Sequence, residues 1–237
     1  MIRQMFCHKC GTQVSPDVQF CPNCGTSLAV GAPGLTGAPA VPWTPPATVE
    51  VHAGRWISEG WALVTADLGN YVLLALVFVI LSSAVPVILQ GPMIAGLHIF
   101  TMKKLMGRKA EFADLFLGFN YFVPTLVASI VIGLFVFCGT VLCVIPGLVV
   151  AAMYKFTYLF IVDKRMDFWP AMQASHAVVK RDYAGFTLFL ILLILVDVLG
   201  ALCCVVGIFV ALPVTFAAIT IAYKELVGFE PRTVDAL

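Results

Sequence analysis

Charge is scarce in this sequence. Asp, Glu, Lys and Arg make up 11% of its 237 residues, while 61% are apolar. Water-soluble domains carry about a quarter charged residues, and the mean hydropathy of +0.99 also excludes an ordinary soluble globule. The formal net charge of +1 offers nothing to a polyanion, so no nucleic-acid partner is expected. Reactive motifs are missing as well. There is no glycine-rich phosphate loop, no His-Glu-x-x-His and no nucleophile set beside a base, so the chain reads as non-enzymatic. No apolar leader opens it. The first apolar run begins near Tyr71, which predicts insertion through an internal, uncleaved helix.

What the chain does have is cysteine in two populations. Cys7-His-Lys-Cys10 and Cys21-Pro-Asn-Cys24 are Cys-x-x-Cys pairs, each followed by a glycine, Gly11 and Gly25. Two such pairs supply the four thiolates of a closed tetrahedral zinc site, and the glycines allow the tight turn of each knuckle. Residues 1–25 therefore read as a zinc ribbon built from β-hairpin knuckles, with Cys7, Cys10, Cys21 and Cys24 as ligands and Zn2+ in a structural role. His8 lies inside the first knuckle but is not needed as a ligand. So small a domain has too little core to fold without its metal. Thiolate ligands persist in a reducing compartment, which places the ribbon in the cytosol. The other cysteines, Cys138, Cys143, Cys203 and Cys204, lie in apolar runs where a thiol packs as a small hydrophobe.

Residues 26–54, rich in Pro, Gly and Ala, read as a flexible linker. Residues 55–230 read as a six-helix transmembrane domain and 231–237 as a cytosolic tail. Six apolar segments fall at about 71–89, 91–106, 122–143, 146–162, 184–206 and 207–223. Several approach the roughly 20 residues needed to cross a bilayer, and the even-numbered ones are shorter. Uncharged turns at Gln90-Gly91-Pro92, Ile145-Pro146-Gly147 and Val206-Gly207 join them into three helical hairpins. Lys103, Lys104, Arg108 and Lys109 follow the second segment. Lys164, Arg165, Lys180 and Arg181 follow the fourth, and Lys224 and Arg232 follow the sixth. The hairpin turns carry no Lys or Arg, so both termini are expected in the cytoplasm. This agrees with the independent argument from the ribbon.

An internal repeat underlies the hairpins. The stretch from Gly91-Pro92 to Leu105 aligns with that from Leu212-Pro213 to Leu226, and the fourth segment also opens on proline, at Pro146. Ahead of each odd-numbered segment lies an amphipathic stretch: Ile57, Trp61, Val64, Leu68 and Tyr71; Phe112, Leu115, Phe116 and Phe119; Phe168, Met172, Val179 and Tyr183. These spacings predict interfacial helices with aromatics at headgroup level. The expected fold is mostly α: six transmembrane helices as three hairpins with interfacial helices, preceded by the four-cysteine zinc ribbon.

Three polar residues fall inside the apolar segments: His98, Lys155 and Asp197. Charge at membrane depth is costly and marks either a structural ion pair or a site for a solute or proton. Counting about 1.5 Å per residue from the outer turns brings all three toward one level, with Lys155 and Asp197 as candidate partners.

Ile145-Pro146-Gly147-Leu148, Val162-Asp163, Ala171-x-x-x-Ser175 and the basic pair before the next segment resemble a group of multi-pass bacterial proteins. So does Lys103-Lys104-Leu-Met-Gly-Arg108 followed by Phe112-Ala-Asp-Leu-Phe116-Leu-Gly-Phe119. That group is related to the membrane domain fused to some glycerophosphodiester phosphodiesterases. The resemblance covers roughly residues 55–230 and implies a protein of the bacterial inner membrane. The phosphodiesterase catalytic domain has no counterpart here, so no catalytic residue carries over. The first 25 residues resemble the short zinc ribbons that precede many bacterial membrane proteins. The expected role is a membrane protein whose ribbon contacts a cytosolic or membrane protein partner. The alternative is a transporter, channel or lipid-handling protein with its site among His98, Lys155 and Asp197. The lipid bilayer is a partner in either case, and association as a homo-oligomer stays open.

Overall fold

The computed structural model describes residues 43–203 and 207–230, Thr233, and two short strands near the N-terminus. It divides into two units, residues 1–40 and 41–237. In the first, β1 (Met5–Phe6) and β2 (Gln13–Val14) pair antiparallel, with Met5 opposite Val14. The strands bracket the first Cys-x-x-Cys pair in the chain. All four ribbon cysteines lie outside the described residues.

The second unit is helical. In order it contains α1 (Ala53–Thr65), α2 (Leu68–Ala84), α3 (Gln90–Leu105), a 3-10 helix (Phe112–Tyr121), α4 (Phe122–Leu142), α5 (Val144–Met153), α6 (Thr157–Asp163), α7 (Phe168–Val179), α8 (Tyr183–Leu202) and α9 (Ile208–Leu226). Asp167 caps α7 by accepting from the Phe168 N–H at 2.8 Å, and Asp182 caps α8 through the Gly185 N–H at 2.9 Å. Both use a short side-chain acceptor to satisfy a donor the helix leaves open.

The three repeats of the sequence become three copies of one arrangement. α3, α6 and α9 meet at the centre, and α2, α4 and α8 stand around them with long apolar stretches exposed. Each outer helix packs between the inner segment of its own copy and that of the copy before, α5 and α6 together forming the inner segment of the second copy: α4 against α5 and α3, α8 against α9 and α5, and α2 against α3 and α9. The leading elements obey the same rule. The 3-10 helix lies along α3, α7 along α6, and α1, the earliest of these helices, along α9, the latest of them. The set therefore closes on itself. All three inner helices also end on a residue with positive φ: Gly107 at 70°, Arg165 at 50° and Gly228 at 76°. A left-handed residue there terminates the helix by redirecting its last N–H groups. Gly107 and Gly228 accept that conformation without the steric cost borne by Arg165.

The structure supports fewer spans than the six expected. Among the described residues, four helical stretches are long and apolar enough to cross a membrane: Phe112–Leu142, Val144–Asp163, Tyr183–Leu202 and Ile208–Leu226. A fifth arises if α1 and α2, bent by 101°, count as one. The segment at 91–106 forms α3, which is only 16 residues long and is mostly buried from Gly91 to Met102. Its hydrophobicity serves protein packing as well as length. The amphipathic stretch at Phe112–Phe119 is a 3-10 helix running directly into α4, pressed on α3 where Gly96 and Gly118 remove the side chains that would keep the backbones apart. The linker read over residues 26–54 is seated on the helical unit at its far end. Trp43, Val49 and Val51 pack against the main core cluster, and Trp43 meets Phe160 edge-on at 4.8 Å between ring centres. Cys138, Cys143 and Cys203 are free thiols.

Candidate functional site

The stretch Val144–Asp163 is interrupted. α5 ends at Met153, α6 begins at Thr157, and Tyr154, Lys155 and Phe156 form a turn between them. Breaking a helix inside an apolar unit strands backbone groups that must find partners. Ser175 of α7 meets both sides of the break: its hydroxyl donates to the Met153 carbonyl at 2.7 Å and accepts from the Phe156 N–H at 3.2 Å. Tyr158, at the start of α6, donates to Ser129 of α4 at 3.3 Å. The break is thus held in place from two neighbouring helices.

Lys155 sits in this turn. It lies within Coulombic reach of His98 on α3 and of Asp197 on α8. None of the three hydrogen-bonds or ion-pairs directly with another. His98 is fully buried, and its Nδ1 is 2.8 Å from Thr220 Oγ1 on α9. Phe216 stands edge-on to its ring at 5.3 Å. Asp197 lies beside Thr215, and its Oδ1 is buried without a hydrogen-bond partner. Thr157, fully buried just after the break, likewise has an unpartnered hydroxyl. The three copies thus contribute one polar residue each to a loosely coupled group. It contains an acid and an amine that do not touch, and one orphaned oxygen, on Asp197.

A second polar junction lies at the opposite end of α6, and the sequence pattern did not single it out. The Asp163 carboxylate, almost completely buried, accepts from the Tyr223 hydroxyl and from the Glu230 N–H, each at 2.9 Å. Lys164 Nζ is 3.4 Å from Asp163 Oδ2 and 2.9 Å from Glu230 Oε2. Thr233 Oγ1 donates to the Asp163 carbonyl at 2.6 Å. The segment after α9 is thereby fastened to the end of α6. Asp163 and Ser175 stood in the sequence only as elements of a resemblance. A lone acid closing an apolar run was the available signal, since such a group needs buried donors to be tolerated. Glu225, near the end of α9, ties that helix to α1. It accepts from Trp56 Nε1 at 2.7 Å and pairs with Arg55.

The ribbon's donor set fits zinc: four thiolates in two Cys-x-x-Cys pairs, the first bracketed by the paired strands. Cys7, Cys10, Cys21 and Cys24 would hold the ion. No group of His, Cys, Asp and Glu capable of holding a metal occurs among the described residues.

The chain is 30% identical over 103 residues to uncharacterised proteins of Mycobacterium bovis and of two strains of Mycobacterium tuberculosis. That match covers 44% of this chain and 32% of each relative, so the chain spans about a third of the relatives' length. No solved structure matches. Residues 6–28 match the family model of the zinc-ribbon domain, a family whose members characteristically bind zinc in a structural role.

Proposed function

We propose that this is a multi-pass protein of the bacterial inner membrane, with both termini in the cytoplasm, whose zinc ribbon recruits a protein partner to the membrane. The observation that carries this reading is the coupling of a zinc-ribbon match over residues 6–28 to a unit with four or five apolar spans. The basic loops support the orientation. Zinc supplies folding energy to the ribbon, which leaves the ribbon's surface for recognition. Cys21→Ser/Cys24→Ser is expected to release zinc, unfold the ribbon and strip the partner, while the membrane unit still inserts. Affinity purification from gently solubilised membranes, with metal analysis and mass spectrometry, reads all three. Recovery of the same partners by the variant would sink the adaptor role.

A second reading, transport of a solute or of protons, is favoured by the broken helix at Lys155. Irregular backbone at membrane depth recurs where transporters bind their cargo, and orphaned oxygens on Asp197 and Thr157 are natural ligands for something that passes. Asp197→Asn is expected to abolish flux in reconstituted vesicles, with protein accumulation unchanged. A variant that instead fails to accumulate assigns Asp197 to structure.

A further inference from the structure

A shallow groove of about 390 Å³ runs between α5 and α8, lined by Val149, Tyr183, Ala184, Thr187, Leu188 and Ile191. Its walls are almost wholly apolar, with two polar exceptions. The Thr187 hydroxyl is buried and has no hydrogen-bond partner. Tyr183, at the first turn of α8, directs its hydroxyl to His176 Nε2 at 2.6 Å. Before Tyr183 come Lys180, Arg181 and Asp182. The two cations are exposed at the α7–α8 turn and neither forms an ion pair among the described residues, while the Asp182 carboxylate accepts from the Gly185 N–H. Other cations at helix ends are engaged: Lys103 with Asp114, Lys104 with Asp67, and Lys164 with Asp163 and Glu230.

We infer that this groove is a binding site for an anionic phospholipid. One acyl chain lies along Val149, Leu188 and Ile191, and the phosphate sits against Lys180 and Arg181. The inference rests on the membrane reading given above, because only there is a lipid the ambient ligand. An apolar trough with basic residues at one end matches the amphiphile in both polarity and order. Two unneutralised cations at a membrane surface favour an anionic headgroup over a zwitterionic one. A free phosphate would leave the trough unused, and a neutral lipid would leave the basic pair unanswered.

The test uses the full chain, purified in detergent and offered phosphatidylglycerol or phosphatidylcholine, with lipid retention counted by native mass spectrometry. Wild type is expected to retain phosphatidylglycerol roughly tenfold better than phosphatidylcholine. Lys180→Gln/Arg181→Gln is expected to erase that preference. Leu188→Trp, which fills the trough from an exposed position, is expected to lower retention of both lipids. Arg108→Gln/Lys109→Gln removes an equally exposed basic pair remote in sequence from the groove, and is expected to change nothing. Equal retention of both lipids by wild type would overturn the site. So would equal losses in the two basic-pair variants, which would mark a general charge effect. Recovery of the protein outside the membrane fraction would instead overturn the membrane reading on which the site depends.

Discussion

Gly96→Ala is expected to unseat the 3-10 helix from α3 and to cost about 3 kcal/mol or more, because the added Cβ meets backbone in a packed core. A Cβ on Gly96 would overlap the backbone of Leu115, and one on Gly118 would overlap the Pro92 carbonyl and the backbone of Gly96. The two glycines face each other across one contact, so neither side has a flexible side chain that could move aside. Overpacking a well-packed core typically costs about 1–3 kcal/mol, and a clash with backbone belongs at or beyond the upper end. The contrast is Gly133→Ala. Gly133 lies in the middle of α4, and a Cβ added there would meet nothing within 4 Å. The substitution adds helix propensity and is expected to stabilise by up to about 1 kcal/mol. Thermal unfolding of the two variants in detergent, followed by size-exclusion chromatography with fluorescence detection, separates them. Equal midpoints for Gly96→Ala and wild type would contradict the packing described here.

Asp163→Ala carries the second large effect. The carboxylate is the common acceptor for the Tyr223 hydroxyl, the Glu230 N–H and the Lys164 ammonium. Removing it leaves the Tyr223 hydroxyl and the Glu230 N–H unanswered in a largely buried setting, and leaves Lys164 with Glu230 alone. Breaking a buried charge network by deleting one partner costs about 3–5 kcal/mol. The segment after α9 should then detach from α6, and limited proteolysis is expected to cut within residues 227–233 far faster than in wild type. Asp163→Asn keeps the size and one acceptor oxygen but turns an amide donor toward the Tyr223 O–H or the Glu230 N–H. It is expected to fall between wild type and Asp163→Ala. Cleavage at the wild-type rate in Asp163→Ala would show that the segment is held by other contacts.

The elements that were legible in the sequence are those set by local pattern. Apolar runs marked α2, α4 and α8 because each carries large hydrophobic side chains on its exposed surface, and an all-round hydrophobic helix announces itself. The recurrence of Pro92, Pro146 and Pro213 marked the inner helices, since proline fits a helix's first turn at no hydrogen-bond cost. Pro213, however, lies inside α9, which starts at Ile208. Run length read α3 as a span, but its 16 residues fall short of the length that marks the four candidate spans. Nor could run length reveal the break at Lys155. Nothing in Tyr154-Lys155-Phe156 is a helix breaker, and the turn is held by Ser175, distant in sequence, through bonds that no local pattern encodes. His98, Lys155 and Asp197 were read as depths along separate apolar segments, and the structure puts Lys155 in a turn. Their lack of direct contact depends on side-chain direction, which spacing leaves undetermined.

The packing of α1 on α9 has a consequence for how the protein is made. Trp56 of α1 is completely buried and bonds to Glu225 near the end of α9. A Cβ on Gly60 would stand 3.0 Å from the Ala218 nitrogen and from the Val214 carbonyl oxygen. Among the described helices α1 is the earliest and α9 the latest in sequence, so the apolar face of α1 is covered only once α9 has been made, while the 3-10 helix and α7 meet partners that immediately precede them. Contacts so far apart in sequence form late and slowly, and domains otherwise tend to assemble from the N-terminus as the chain emerges. During that interval α1 presents Trp56 to whatever is nearby, which leaves it open to chaperones, to the insertion machinery and to proteases. A ribosome-stalled chain ending before Ile208 would hold most of the ring complete and α1 still unclaimed.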